Sequence, residues 1–217
     1  MGRAAIPAVF LAFAAMVLYV FITVSTPVWN KVTFFHIDVP RVTVGNFGTE
    51  GGTISYGFLG WCFNDQCSEK DLGYRLEDPV NSIQGVNINI DNEALERITY
   101  TLILNPVSGL LSLLVTLFGL LAIRGGRITA IFLTIFEGFT AVVGCVTLAL
   151  NVALFKVFEN VLHDRLQDVG ISITSSLDNA EWLSVAAAGC LIVGTVLSLL
   201  GICFGRSSNR RRDISYV

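Results

Sequence analysis

Residues 128–155 read ITAIFLTIFEGFTAVVGCVTLALNVALF. The run holds one acid, Glu137, one amide, Asn151, and no base. A helix rises about 1.5 Å per residue and a bilayer core is about 30 Å thick, so about 20 residues cross it. This run is long enough. Backbone N–H and C=O groups find no water in lipid, so such a run must satisfy them internally as a helix.

Three more runs of the same kind flank it. They cover about 4–24, 100–123 and 182–204. Together with 128–155 they predict one domain over 1–217, an all-α transmembrane four-helix bundle. The segments between the runs become loops at about 25–99 and 156–181 and a tail at 205–217. Composition agrees: 53% of residues are hydrophobic and 14% charged, against roughly 25% charged in soluble domains. The first run is longer than the 7–15 residues or so of a signal-peptide core, so it reads as a retained helix. Gly2 lacks the downstream Ser or Thr of a myristoylation signal.

Charge assigns the sides. Segment 25–99 carries five bases and ten acids, and segment 156–181 carries two bases and five acids. Arg3, Arg124, Arg127, Arg206, Arg210, Arg211 and Arg212 face a single acid, Asp213, in the remaining short segments. Short basic flanks stay in the cytosol. The expectation is therefore cytosolic termini, two outer loops and a multi-pass protein of the plasma membrane.

The longer loop is predicted to fold. Lys31–His36, Val39–Val44 and Thr53–Trp61 are rich in β-branched and aromatic residues and separated by Pro and Gly breaks. They predict a small extracellular antiparallel sheet. Asn81–Asn92 alternates Val86, Ile88 and Ile90, which fits either a further strand or a mobile segment. Cys62 and Cys67 are the two cysteines outside the helices, and in an oxidising compartment they predict a disulfide. The rival, a metal pair, has no nearby His or Cys to complete it. Cys145, Cys190 and Cys203 fall in helices as small apolar packers, and Cys203 near Arg206 is also a candidate for palmitoylation.

Around the cysteine pair the sequence runs Tyr56-Gly57-Phe58-Leu59-Gly60-Trp61-Cys62, then Cys67 and Gly73-Tyr74. This pattern resembles the fungal PalI-type tetraspan proteins. Ser25-Thr26-Pro27, closing the first helix, and Leu102-Ile103-Leu104-Asn105-Pro106-Val107 resemble theirs too, although Asn105 stands where that family usually has His. A more distant similarity is to the claudins, at Trp29, Trp61, Cys62 and Cys67. The resemblance covers most of 1–204 and leaves open two relatives, the ambient-pH-response type and the eisosome-associated type. It implies a claudin-like bundle in which Gly57, Gly60, Trp61, Cys62, Cys67, Gly73 and Tyr74 form the shared motif.

Glu137, Asn105 and Asn151 are intramembrane polar residues, read as hydrogen-bonded ties between helices, since a charge inside the membrane faces the bundle interior. Gly189 and Gly194 on the last helix leave room for close helix packing, internal or with a partner. His36 and His163 read as surface histidines. Trp29 and Trp182 suit an interfacial belt, and Trp61 an anchor for the sheet. Phe158, Val161, Leu162, Leu166 and Val169 recur at helical spacing, with Gly170 as a stop. They predict that the third helix continues outward beneath the sheet. Arg210–Arg212 serves as an orientation signal and anionic-lipid contact. Ser215-Tyr216-Val217 only superficially resembles a PDZ ligand.

No Ser/His/Asp grouping, metal cluster, P-loop or dinucleotide fingerprint is legible, so neither an enzyme nor a cofactor is expected. No N-glycosylation sequon occurs. The resemblance implies a non-enzymatic accessory protein that helps a membrane sensor of ambient pH assemble or reach the cell surface. The alternative is a structural organiser of plasma-membrane microdomains or cell-wall contact. Expected partners are membrane lipids and a sensor or other tetraspan proteins, with homo-oligomers allowed and no nucleic acid.

Overall fold

The computed structural model describes residues 2–26, 28, 32–39, 43–44, 47–48, 52–64, 66–69, 100–124, 127–167 and 174–213. Trp29, Gly73, Tyr74, Asn81–Asn92, Val169, Gly170 and Ser215–Val217 lie outside them, as do the side chains of Leu166, Cys203 and Arg206–Arg212.

Among the described residues, four helices are long and apolar enough to cross a membrane. They are α1 (Gly2–Thr23), α2 (Leu104–Arg124), α3 (Arg127–Gln167) and α4 (Asn179–Asp213). A 3₁₀ turn, Tyr100–Ile103, leads into α2. Pro106 lies in the first turn of α2, where its missing N–H costs nothing.

Contacts divide the chain into two compact units. The first comprises Met1–Val20, Asn105–Val146 and Ser184–Val217. It is a helix bundle. Ala12, Val115, Ala122 and Leu133 form its buried cluster, and Phe136 packs against it. Its outer surface is apolar, with Phe10, Leu121, Phe132 and Ile135 exposed, as a surface solvated by lipid requires. Several buried hydroxyls in this unit bond within their own helices. Ser112, Thr116, Thr134 and Thr140 each donate to the carbonyl four residues back, at 2.8–3.0 Å. That disposes of polar groups that have no water to meet.

The second unit comprises Phe21–Leu104 and Thr147–Leu183. It contains a five-stranded antiparallel sheet in the order β6-β5-β4-β1-β7. The strands are β1 (Phe35–Val39), β4 (Gly52–Tyr56), β5 (Trp61–Phe63), β6 (Gln66–Cys67) and β7 (Thr174–Leu177). A separate ribbon pairs β2 (Thr43–Val44) with β3 (Phe47–Gly48). Successive side chains of a strand point to opposite faces. Phe35, Ile37, Ile54 and Tyr56 therefore share one buried face, while His36, Asp38, Thr53 and Ser55 share the other.

The buried face rests on the distal part of α3. Phe155 stacks on Phe34 and Phe35 at centroid distances of 5.7 and 5.4 Å. Phe158 meets Phe35 and Tyr56 edge-on, at 6.3 and 5.5 Å. Phe158 and Leu162 are buried, and Phe158, the first residue of the apolar stripe read from the sequence, lies against the sheet. Such aromatic pairs contribute about 0.5–1.5 kcal/mol each beyond the area they bury.

The strands depart from expectation in two ways. β1 starts at Phe35 and ends at Val39, bridging two predicted strands, and β4 stops at Tyr56 because the chain turns at Gly57. Gly57 N–H donates to the Gly60 carbonyl at 2.8 Å. The second departure is β7, which comes from segment 156–181 and forms an edge of the sheet. Thr174-Ser175-Ser176-Leu177 has no apolar alternation to betray a strand. Its place comes from pairing with β1, from Phe35↔Leu177 to Asp38↔Thr174.

Candidate functional site

The shared motif forms a buckle at the end of α1. α1 stops at Thr23, and the next residues are fastened to the turn after β4. The Ser25 hydroxyl oxygen accepts the Phe58 N–H at 2.9 Å. The Thr26 carbonyl accepts the Leu59 N–H at 3.4 Å, and Thr26 N–H donates to the Val32 carbonyl at 3.0 Å. Ser25 and Thr26 are fully buried. Gly57 lies against this strand of backbone so closely that a Cβ there would sit 2.7 Å from the Thr26 carbonyl carbon. Glycine is required by the approach of two backbones, not by an unusual φ. Ser25-Thr26 and Gly57–Gly60, both parts of the resemblance, are thus two halves of one contact.

Beyond the buckle, β5 and β6 form a two-residue hairpin in which Cys62 and Cys67 are direct cross-strand partners. Their sulfurs are bonded at 1.99 Å. Asn64 takes a φ of 50° at the first turn position, a left-handed conformation that Asn tolerates and such hairpins need. Its side-chain oxygen accepts the Thr53 N–H at 3.2 Å, and its own N–H donates to the Thr53 carbonyl at 3.1 Å. Trp61 is half-buried on β5. Closing so small a ring restricts the unfolded chain by about 2 kcal/mol. Intact protein should show Cys62 and Cys67 unreactive to a thiol reagent until reduced, with mass spectrometry of the labelled peptides as the readout. Equal labelling of both before reduction would contradict the bond.

A third cluster was not legible in the sequence. His36 of β1 pairs across the ladder with Ser176 of β7, and Ser176 Oγ lies 2.8 Å from His36 Nε2. The other ring nitrogen, Nδ1, lies 3.4 Å from Asp178 Oδ2. The Thr33 hydroxyl donates to the same Asp178 oxygen, while Oδ1 accepts the Asn179 N–H at 2.8 Å at the start of α4. No Ser/His/Asp grouping was legible in the sequence because His36 and Ser176 are 140 positions apart. The tertiary fold makes one. It has the residue types of an acyl-transfer array, but that chemistry also needs donors aimed at a developing oxyanion. Here the three groups span a sheet edge, and their evident work is fastening β7.

On the opposite face of β7, Ser175 Oγ donates to Glu159 of α3 at 2.6 Å, and Lys156 Nζ meets the other Glu159 oxygen at 2.7 Å. Glu181, three residues after Asp178, is buried, and among the described residues neither of its carboxyl oxygens has a hydrogen-bond partner. The Asp-x-x-Glu spacing suggests a capping box. The Asp178 N–H that Glu181 would need instead donates to the Phe34 carbonyl at 3.0 Å.

In the helix bundle, Glu137 is fully buried. Its Oε2 accepts the Ser198 hydroxyl of α4 at 2.5 Å, and among the described residues Oε1 has no hydrogen-bond partner. It ties α3 to α4. Gly194 is the residue that makes space for it, since a Cβ there would fall on Oε1. Gly194 thus serves packing inside this chain. Gly189 does not: among the described residues a Cβ there meets nothing within 4 Å. Asn105 and Asn151 are fully buried, and each has interactions in the fold. Trp182 is 70% exposed, in keeping with an interfacial ring. Cys145 and Cys190 are free thiols. Among the described residues no group of His, Cys, Asp and Glu is placed to hold a metal ion.

Four membrane-spanning helices, a small antiparallel sheet and a disulfide hairpin buckled to the first helix define a claudin-like tetraspan membrane protein. The model of the SUR7/PalI family matches residues 4–206, and the chain belongs to that family. It is also similar to the pH-response regulator protein palI/prr-5 of Neurospora crassa, with 28% identity over 117 residues. That match covers 52% of this chain and 15% of the relative, so the chain spans only a small part of the curated relative's length.

Proposed function

We propose that the chain is a non-enzymatic accessory protein of ambient-pH signalling at the plasma membrane, where it assists the assembly or surface placement of a sensor complex. The observation that carries this reading is the similarity to a pH-response regulator, within a family match over most of the chain. The charge pattern supports cytosolic termini, with the sheet on the outer side, where a disulfide persists. The bundle then supplies lipid-facing helix surfaces for lateral association, and the sheet an extracellular surface. The second reading, an organiser of membrane microdomains, rests on the resemblance of the Gly57–Cys67 signature to the eisosome-associated tetraspan proteins.

Deletion of the gene separates the two readings. Loss of growth on alkaline medium, with normal growth on acidic medium, is expected from an accessory to pH signalling. Restoration by the full chain, and recovery of a multi-pass sensor with it in mild detergent, completes the case. Normal alkaline growth with a disturbed cortical pattern would favour the organiser.

A further inference from the structure

We propose that the Cys62–Cys67 disulfide is an exchange site for small external thiols of the glutathione class: the thiol becomes bonded to Cys67, Cys62 is released, and β6 detaches from the sheet. The site stands on the geometry of the hairpin and does not depend on the signalling role.

Thiol–disulfide exchange is attack of a thiolate on one sulfur of the bond, and access governs which sulfur is attacked. Here access is one-sided. Cys62 is buried, with 5% of its surface exposed, whereas Cys67 is exposed. Their cross-strand row runs from Cys67 through Cys62 to Ser55. Past Cys62 the row crosses β4. Past Cys67 it leaves the sheet, because β6 is the edge strand. A thiolate therefore reaches Cys67 from the side opposite Cys62, the direction that displacement requires, without meeting another strand of the sheet.

The incoming sulfur bonds to Cys67 Sγ, and the electron pair of the old S–S bond leaves on Cys62 Sγ. The proton lost by the incoming thiol balances the one that Cys62 takes up. The product is a mixed disulfide on Cys67 and a free thiol on Cys62, with no net oxidation. A second external thiol can then displace Cys67 and carry off the first as an external disulfide, leaving the pair reduced. In oxidising surroundings without such a thiol the bond stays closed.

Little else holds β6. The strand is two residues long and pairs with β5 at Cys62↔Cys67 and Phe63↔Gln66. Beyond it, Ser68 N–H donates to the Trp61 carbonyl at 2.9 Å, and Ser68 Oγ accepts the Trp61 N–H at 3.1 Å. Short edge segments of this kind open locally without the whole fold. The rest of the sheet is anchored elsewhere. β1 and β4 pair over five residues, from Phe35↔Tyr56 to Val39↔Gly52. Phe35 and Tyr56 are seated on Phe158 of α3. Opening the bond thus changes one edge of the sheet and leaves its seat in place.

The test uses the full chain in lipid nanodiscs, incubated with reduced glutathione and a trace of oxidised glutathione, then acid-quenched and alkylated with N-ethylmaleimide. Chymotryptic cleavage after Phe63 separates the two cysteines for mass spectrometry. Early in the reaction glutathione should be on Cys67 and maleimide on Cys62, exceeding the reverse pattern by about tenfold, and the folded protein should open at a rate within about tenfold of the denatured one. Hydrogen exchange in the same samples should rise in a peptide spanning Gln66–Ser68 and stay unchanged over 35–39 and 52–56. A bond that opens only in denaturant would overturn the proposal. So would glutathione found on Cys62 as often as on Cys67, unchanged protection at β6 after opening, or a loss of protection that spreads to β1 and β4.

Discussion

Gly57→Ala should abolish correct folding of the sheet-bearing unit, and Gly57→Val should do so more completely. The added Cβ would lie 2.5 Å from the Thr26 Cβ and 2.7 Å from its carbonyl carbon. Neither side can yield cheaply. Thr26 is held by Val32 and Leu59, and Phe58 is held by Ser25. Overpacking a well-packed core costs about 1–3 kcal/mol and sometimes more, and a collision between two fixed backbones belongs at the upper end. The readout is the yield of monodisperse protein in detergent, together with protection of Cys62 and Cys67 from thiol reagents. Ser25→Ala offers a graded comparison. It leaves the buried Phe58 N–H without its acceptor, a loss of about 1–3 kcal/mol, and should lower the melting temperature without abolishing the fold. If Gly57→Ala folds and melts like the wild type, the buckle is not a close contact.

The second large effect is expected at Gly194. Gly194→Leu places a branched side chain where the Glu137 carboxyl lies and drives that carboxyl away from Ser198. A buried acid inside a membrane bundle then loses its described donor, on top of an overpacking cost of about 1–3 kcal/mol. Thermal unfolding in detergent should show a marked loss. Gly189→Leu, where a side chain enters open space, should leave the fold intact and is the better probe of a partner helix. The coupling can be measured directly. Gly194→Ala should cost more in the wild type than in a Glu137→Ala background, because the two residues occupy the same space and their effects cannot add. Equal costs in both backgrounds would show that the Glu137 carboxyl does not occupy that space.

Gly189 and Gly194 also show where sequence reasoning stops. Both are glycines on one apolar helix, and spacing alone marks both as room for a neighbouring helix. The fold fills the room at Gly194 with the side chain of Glu137, from a different helix, and leaves Gly189 open. The same limit applies to His36. An exposed histidine in a loop reads as a surface residue when its neighbours in sequence are Phe35 and Ile37. Its actual partners come from a serine- and threonine-rich strand near the other end of the chain.

What the sequence determined by itself follows from local rules that a bilayer makes strict. Four long apolar runs leave helices as the way to satisfy their backbones, so the spans were legible without any tertiary information. The continuation of α3 was legible because Phe158 and Leu162 keep helical spacing, and the cysteine hairpin because two cysteines so close in the chain can meet within a single turn. Tertiary structure alone decided the rest: the recruitment of β7, the buckle that makes Gly57 obligatory, the space that Glu137 takes from Gly194, and the seam where His36 meets Asp178. Each of these depends on which distant backbones approach one another; in the sheet-bearing unit that choice is made by burying Phe34, Phe35, Tyr56, Phe155 and Phe158 together, and in the helix bundle by its own buried cluster of Ala12, Val115, Ala122 and Leu133. Hydrophobic burial is non-directional, so the residues that drive the approach do not announce which polar groups it will bring into contact.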